Sequence, residues 1–228
     1  IAVTIPIGAE ASFSGVVNLL DPASSVPDFM RDEVEAARER LIEAVAEADD
    51  DLGTKFLEGE ELTPDEITAG LKHGVADGSI VPVLAGAPPS GVGTKEVMNA
   101  IVDYLPSPAD RPAEAAKAPS SDEEVTLSAD ETSPLSALVF KTSADQFVGK
   151  LSFFRVYGGT FKSDSQIWNS DKDQAERVGQ LFIFRGKNQE QIPYVTAGDI
   201  GAVTKLSVTT TGDTLCQREN PLVLPGIS

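Results

Sequence analysis

The chain has 228 residues, 41% hydrophobic and 24% charged, with 36 acidic against 18 basic side chains, one histidine and one cysteine. That length supports one large core or two modest ones, and the composition is that of an ordinary globular protein. No apolar run nears the roughly 20 residues of a membrane-spanning helix, no signal segment opens the sequence, and lone Cys216 excludes an internal disulfide, so a cytoplasmic protein with no membrane partner is expected.

The charge is uneven. Residues 1–131 hold 27 acidic and 8 basic side chains, and residues 132–228 hold 9 and 10. Phosphate is repelled by the first part, so any nucleic-acid contact is expected from the second. The plainer alternative is that the acid only keeps exposed helices soluble. The first residue is Ile1 rather than Met, which suggests a fragment or a processed product.

In chain order, residues 1–7 predict a strand ending at Pro6-Ile7-Gly8, and 14–20 a second strand. Residues 28–48 predict a helix, with Phe29, Val34, Ala37, Leu41, Val45 and Ala48 recurring at three- and four-residue spacing. Asp49-Asp50-Asp51 lacks the spacing and terminal Glu of a calcium loop and reads as a solvated helix terminus. Thr63-Pro64-Asp65-Glu66 predicts a capping box opening a helix that ends near His73-Gly74. His73 is expected on the surface or in packing.

Residues 79–85 predict a short buried strand, 86–93 a turn-rich loop, and 94–105 a helix with Val97, Ile101, Val102 and Leu105 on its apolar face. Residues 109–133 are rich in Ala, Pro, Ser, Asp and Glu and predict a linker or weakly structured ribbon, within which 125–127 offers an edge strand. Strands are then predicted at 135–142, 149–157, 160–168, 174–183, 192–196 and 199–207. Their even spacing, with turns at Gly158-Gly159 and Gly198-Asp199, suggests a small closed barrel.

Catalytic parts are scarce, and no metal site is expected. The phosphate-cradling pattern GxxxxGK(S/T) is absent, and the glycine cluster at 86–93 lacks its lysine and holds two prolines that cannot donate. The chain by itself is not expected to hydrolyse a nucleotide. Cys216, beside apolar residues, reads as packing. The basic residues of the β-rich part concentrate in Arg177, Arg185 and Lys187, with Lys141, Lys150 and Arg155 on earlier strands. The segment 185–188 reads as an exposed loop able to hold backbone phosphate through charge and amide donors, or simply as soluble surface.

Residues 134–161 and 177–216 closely resemble the β-barrel domain that follows the GTPase domain of bacterial elongation factor G. Residues 5–10 with 13–17 are similar to the point where that GTPase domain enters its insert. Residues 55–60 with the helix 63–73 resemble the insert's exit, 81–86 the last core strand, and 102–108 the final helix and its exit to the barrel. The resemblance implies an α/β fragment, the C-terminal part of a P-loop GTPase domain with a shortened, helix-rich insert over 1–108. A linker over 109–133 and an all-β translation-factor barrel, domain II, over 134–228 would follow.

It further implies a parent that binds GTP or GDP with Mg and acts on the ribosome in translocation. The barrel would contact small-subunit rRNA, with Arg177, Arg185, Lys187, Lys150 and Arg155 as candidate contacts. Neither a DNA partner nor a cofactor bound to this part alone is expected. The P-loop, the switches and the guanine-specifying element would lie upstream.

Two departures mark a divergent paralogue. In the guanine-loop equivalent Gly86, Ala87 and Pro88, the last two stand where the family has a Ser-Ala pair that contacts guanine, and Pro88 cannot donate an amide. The insert between Leu20 and Asp49 is also short for the family. The alternatives are another translational GTPase of ribosomal-protection or release-factor type, and a non-ribosomal protein-binding adaptor.

Overall fold

Residues 1–119, 124–145 and 149–226 are described by a computed structural model, and the chain falls into two units, Ile1–Pro106 and Ser107–Ser228. In the first, β1 (Thr4–Ile7) and β2 (Gly15–Asn18) form an antiparallel pair with Thr4 opposite Asn18 and Ile7 opposite Gly15. Four helices follow: α1 (Arg31–Glu47), α2 (Asp50–Leu57), α3 (Pro64–Asp77) and α4 (Thr94–Tyr104). Val3, Val17, Leu41, Val45, Leu71 and Ile80 share their core with Ala100 and Tyr104.

Local chemistry sets the helix ends. The Asp49 carboxylate accepts the N–H groups of Asp51 (3.0 Å) and Leu52 (3.1 Å), so the acidic run caps the start of α2 rather than merely ending α1. At α3 the expected capping box is present. Glu66 N–H donates to Thr63 Oγ1 at 3.3 Å, and Glu66 Oε2 accepts from Thr63 N–H at 2.8 Å. The helix passes the expected stop at Gly74 and ends at Gly78, which takes the left-handed conformation.

Three expectations about burial are corrected. Phe29 is 82% exposed and Met30 is buried instead, because residues 28–30 form a 3₁₀ turn that shifts the phase of the apolar stripe. The segment 79–85 is not a buried strand. Only a parallel bridge joins Ala2 to Val83, Ile80 is buried, and Val81 (70%) and Val83 (58%) face out. On α4 the buried residues are Ala100 and Tyr104, while the expected stripe of Ile101, Val102 and Leu105 is exposed.

The second unit opens with an antiparallel ribbon of β3 (Glu114–Lys117) and β4 (Glu124–Leu127), where a linker was the alternative; 120–123 lie outside the described residues. Ala116 and Leu127 of this ribbon bury against Leu138, Leu222 and Leu224. The remaining strands are β5 (Ser136–Asp145), β6 (Gly149–Gly158), β7 (Thr160–Lys162), β8 (Gln166–Asn169), β9 (Gln174–Arg177), β10 (Leu181–Arg185), β11 (Asn188–Ile192), β12 (Tyr194–Thr196), β13 (Ile200–Thr204) and β14 (Thr214–Cys216). The single strands expected over 160–168 and 174–183 are therefore each two. In the first, the break falls at a turn where Asp164 takes a positive φ.

Eight of these strands pair in the order β11-β10-β13-β6-β5-β14-β8-β9, and β7 pairs with β12. The expected closed barrel is corrected to this extent: among the described residues β11 and β9 are unpaired edges. One core is nonetheless common to both sheets, with Val139, Phe154, Phe161, Leu181, Val195, Val203 and Leu215 all buried in it. Gly159 makes the turn from β6 to β7. Its φ is +74°, and a Cβ there would lie 2.6 Å from the Ser133 carbonyl oxygen, so only glycine fits without strain.

Candidate nucleic-acid interface

The five basic residues singled out from the sequence are dispersed over the β unit. Lys150 lies on β6, and its ammonium donates to the Thr209 carbonyl, so that charge is already engaged. Arg155, on the same strand but the opposite face, places its guanidinium 5.2 Å from the Tyr157 ring centre. The stretch 185–188 is a two-residue turn, not an open loop, because Arg185 pairs directly with Asn188 across β10 and β11. Arg185 also faces Glu190 at 3.5 Å.

Lys187 stands exposed at the tip of that turn. Arg177 is exposed on edge strand β9 and lines a shallow groove with Lys205. Arg177 and Lys187 are therefore the two exposed candidates with neither an ion pair nor a side-chain hydrogen bond among the described residues. Lys141, by contrast, lies 6.0 Å from the Phe153 ring centre.

A polar cluster beside Arg177 escaped the sequence reading. Buried Glu176 accepts the backbone N–H groups of Ser207, Val208 (2.8 Å) and Thr209 (3.1 Å), and both the Ser207 and Thr209 hydroxyls. Asn169 donates to Thr209 Oγ1 at 3.0 Å and Asp213 Oδ2 at 2.9 Å, and Asp213 accepts Thr210 N–H at 2.8 Å. Burial alone would raise the Glu176 pKa, but the donors of Thr209, Val208 and Ser207 outweigh it and hold the carboxyl below its ordinary range. The run Thr209–Thr214 is thus a clamped connection from β13 to β14. Thr209, Asp213 and Thr214 are buried, whereas Thr210 and Thr211 are exposed at the turn.

In the helical unit, the turn at Gly86, Ala87 and Pro88 is closed on itself. Ala87 N–H donates to the Val92 carbonyl at 2.8 Å, and Ser90 N–H returns to the Ala87 carbonyl at 3.1 Å. Gly93, at φ +72°, approaches so closely that a Cβ would lie 2.3 Å from the Ala85 oxygen. Neither Ala87 nor Pro88 offers a free amide.

The remaining candidates behave as structural residues. His73 is exposed, 3.9 Å from Asp77 one turn away. Cys216 is fully buried, 3.0 Å from Ser170 Oγ, and burial pushes its thiol pKa up, away from the reactive thiolate. Among the described residues no cluster of His, Cys, Asp and Glu suits a metal ion, and no helix is long and apolar enough to cross a membrane.

Among the matches to known proteins, two bear on this chain. Residues 134–218 match the family model described as elongation factor G domain 2. The crystal structure of a protein from Thermus thermophilus aligns with 96% of this chain at a TM-score of 0.73 and 24% identity, a likeness of fold. The chain spans 32% of the length of that protein. For residues 134–218 the resemblance to elongation factor G read from the sequence therefore stands.

Proposed function

We propose that this chain is the part of an elongation factor G-like translational GTPase that runs from the later portion of its GTPase domain through domain II. In this reading the β unit docks on rRNA of the small ribosomal subunit, in the cytoplasm, during elongation. The observation that carries it is the match of residues 134–218 to elongation factor G domain 2. The contrast in charge supports it, since 132–228 are close to neutral and free of the acidic excess of 1–131.

The exposed apolar side chains of α4 and of Val81 and Val83 also support the reading, because such a surface ordinarily meets another part of a fold or a partner. GTP, GDP and Mg belong to the parent. This chain would bring only the turn Gly86-Ala87-Pro88 to the base, where Ala87 N–H is engaged and Pro88 has none. Guanine selectivity in the parent is therefore weaker than in a factor with two free donors there.

The test is co-sedimentation with small ribosomal subunits across a salt series. Arg177→Glu and Lys187→Glu should each weaken binding several-fold, and the salt slope should fall by about one for every phosphate no longer neutralised. Salt-independent binding, or none, would remove the docking role. That same turn favours a second reading, an adaptor whose parent no longer binds guanine nucleotide. Titration of the full-length protein with GTP and ATP separates the two, since only the GTPase reading expects saturable GTP binding.

A further inference from the structure

The outer face of β6, which carries the candidate contact Arg155, also carries a groove that the ribosome-docking test does not probe. Phe154 and Val156 point into the core, so Arg155 and Tyr157 point the other way. On that face the stretch 108–114 and the end of β4 enclose a groove of about 310 Å³ with them. Arg111, Glu114 and Ser128 line it as well.

The Arg155 guanidinium stacks on Tyr157 and makes no hydrogen bond or ion pair among the described residues. Its Nε is buried without a partner. A guanidinium is always charged, and a buried N–H of such a group without an acceptor is unfavourable. The stacking fixes its donor fork. Two guanidinium groups and one carboxylate, that of Glu114, leave the groove net positive.

We propose that this groove binds a phosphoryl group. Arg155 would present N–H groups of its two terminal nitrogens to two of its oxygens, while Arg111 neutralises the remaining charge from the rim. A tetrahedral oxyanion with three outward oxygens suits a fork plus a second cation better than a planar carboxylate does.

The site is tested on the full chain, labelled with 15N, by following arginine side-chain Nε–H signals at constant ionic strength. Three ligands are titrated in parallel: inorganic phosphate, a dinucleoside monophosphate and acetate. The Arg155 signal, assigned by its loss in Arg155→Lys, should move saturably with phosphate or with the phosphodiester and not with acetate. Arg111→Ala, in exposed irregular chain, should weaken that response about tenfold and serves even if Arg155→Lys fails to fold. Response to the phosphodiester identifies a nucleic-acid backbone as the source, and response to phosphate alone a small phosphorylated ligand. An unmoved signal, a non-saturating drift or an equal response to acetate overturns the proposal.

Discussion

The helical unit and the β unit dispose of their apolar residues in opposite ways. In the helical unit Val81, Val83, Met98, Ile101 and Val102 are each more than half exposed, while the buried face of α4 is carried by Ala100 and Tyr104. In the β unit the alternating residues of β5, β6, β10, β13 and β14 converge on one core, and Phe154, Phe161 and Leu215 are sealed from solvent. Periodicity tells which residues share a face. It does not tell whether anything covers that face. The inward faces of β5, β6 and β14 are covered and much of α4 is not, while the β unit still leaves Tyr194 and Ile200 more than half exposed.

The largest expected effect lies in the β unit. Glu176→Ala removes the acceptor of three backbone N–H groups and two hydroxyls and should destabilise that unit by about 3–5 kcal/mol. Trp168, the single tryptophan, lies on β8 and reports this unit alone in urea denaturation. Gly159→Ala comes next, at about 2–3 kcal/mol, from its positive φ and the close Ser133 carbonyl.

Acid should separate the units. The Glu176 carboxyl lies below its ordinary 4.5 in the folded β unit, so its stabilisation is whole above about pH 4.5 and drains as pH falls through the folded value. Glu66 is held to about 2 by the Lys55 ammonium at 2.7 Å and by Thr63, so the start of α3 keeps its ion pair until pH approaches 2. Trp168 fluorescence and helical circular dichroism, followed together on acidification, should therefore diverge. Coincident curves would show that the two units unfold as one. The smallest effect is Val102→Lys, within about 0.5 kcal/mol because the side chain is 79% exposed; a larger loss of helical signal would mean that the α4 face is covered in solution.

The parts legible in the sequence were those with local chemistry. The capping box at Thr63 and Glu66 is complete within four residues, and β5 and β6 announce themselves by alternation. Helix α2 escaped because its acidic start and Gly53 weaken the apolar pattern, although Asp49 carried a readable cap. Strand β11, Asn-Gln-Glu-Gln-Ile, has no alternation at all and exists because the turn at Gly186 lays it against β10. The clamp of Glu176 on 207–209 joins segments some thirty residues apart in sequence, a juxtaposition that no local pattern encodes. Among the candidate contacts, composition could mark Lys150 and Arg185 as basic but could not show that Thr209 and Glu190 engage them.

The open ends of the eight-stranded sheet have a consequence for behaviour at high concentration. A bare strand edge is a template on which a second chain can add. Here both edges are hydrophilic: β11 presents two glutamines, an asparagine and a glutamate, and β9 exposes Gln174 and Arg177. Stacking another copy there would strand charge and amide groups between sheets, which guards the β unit against fibrous growth. The oily flank of α4 is one exposed apolar surface that remains, and Val102→Lys should lessen association in light scattering while substitutions in β11 leave it unchanged.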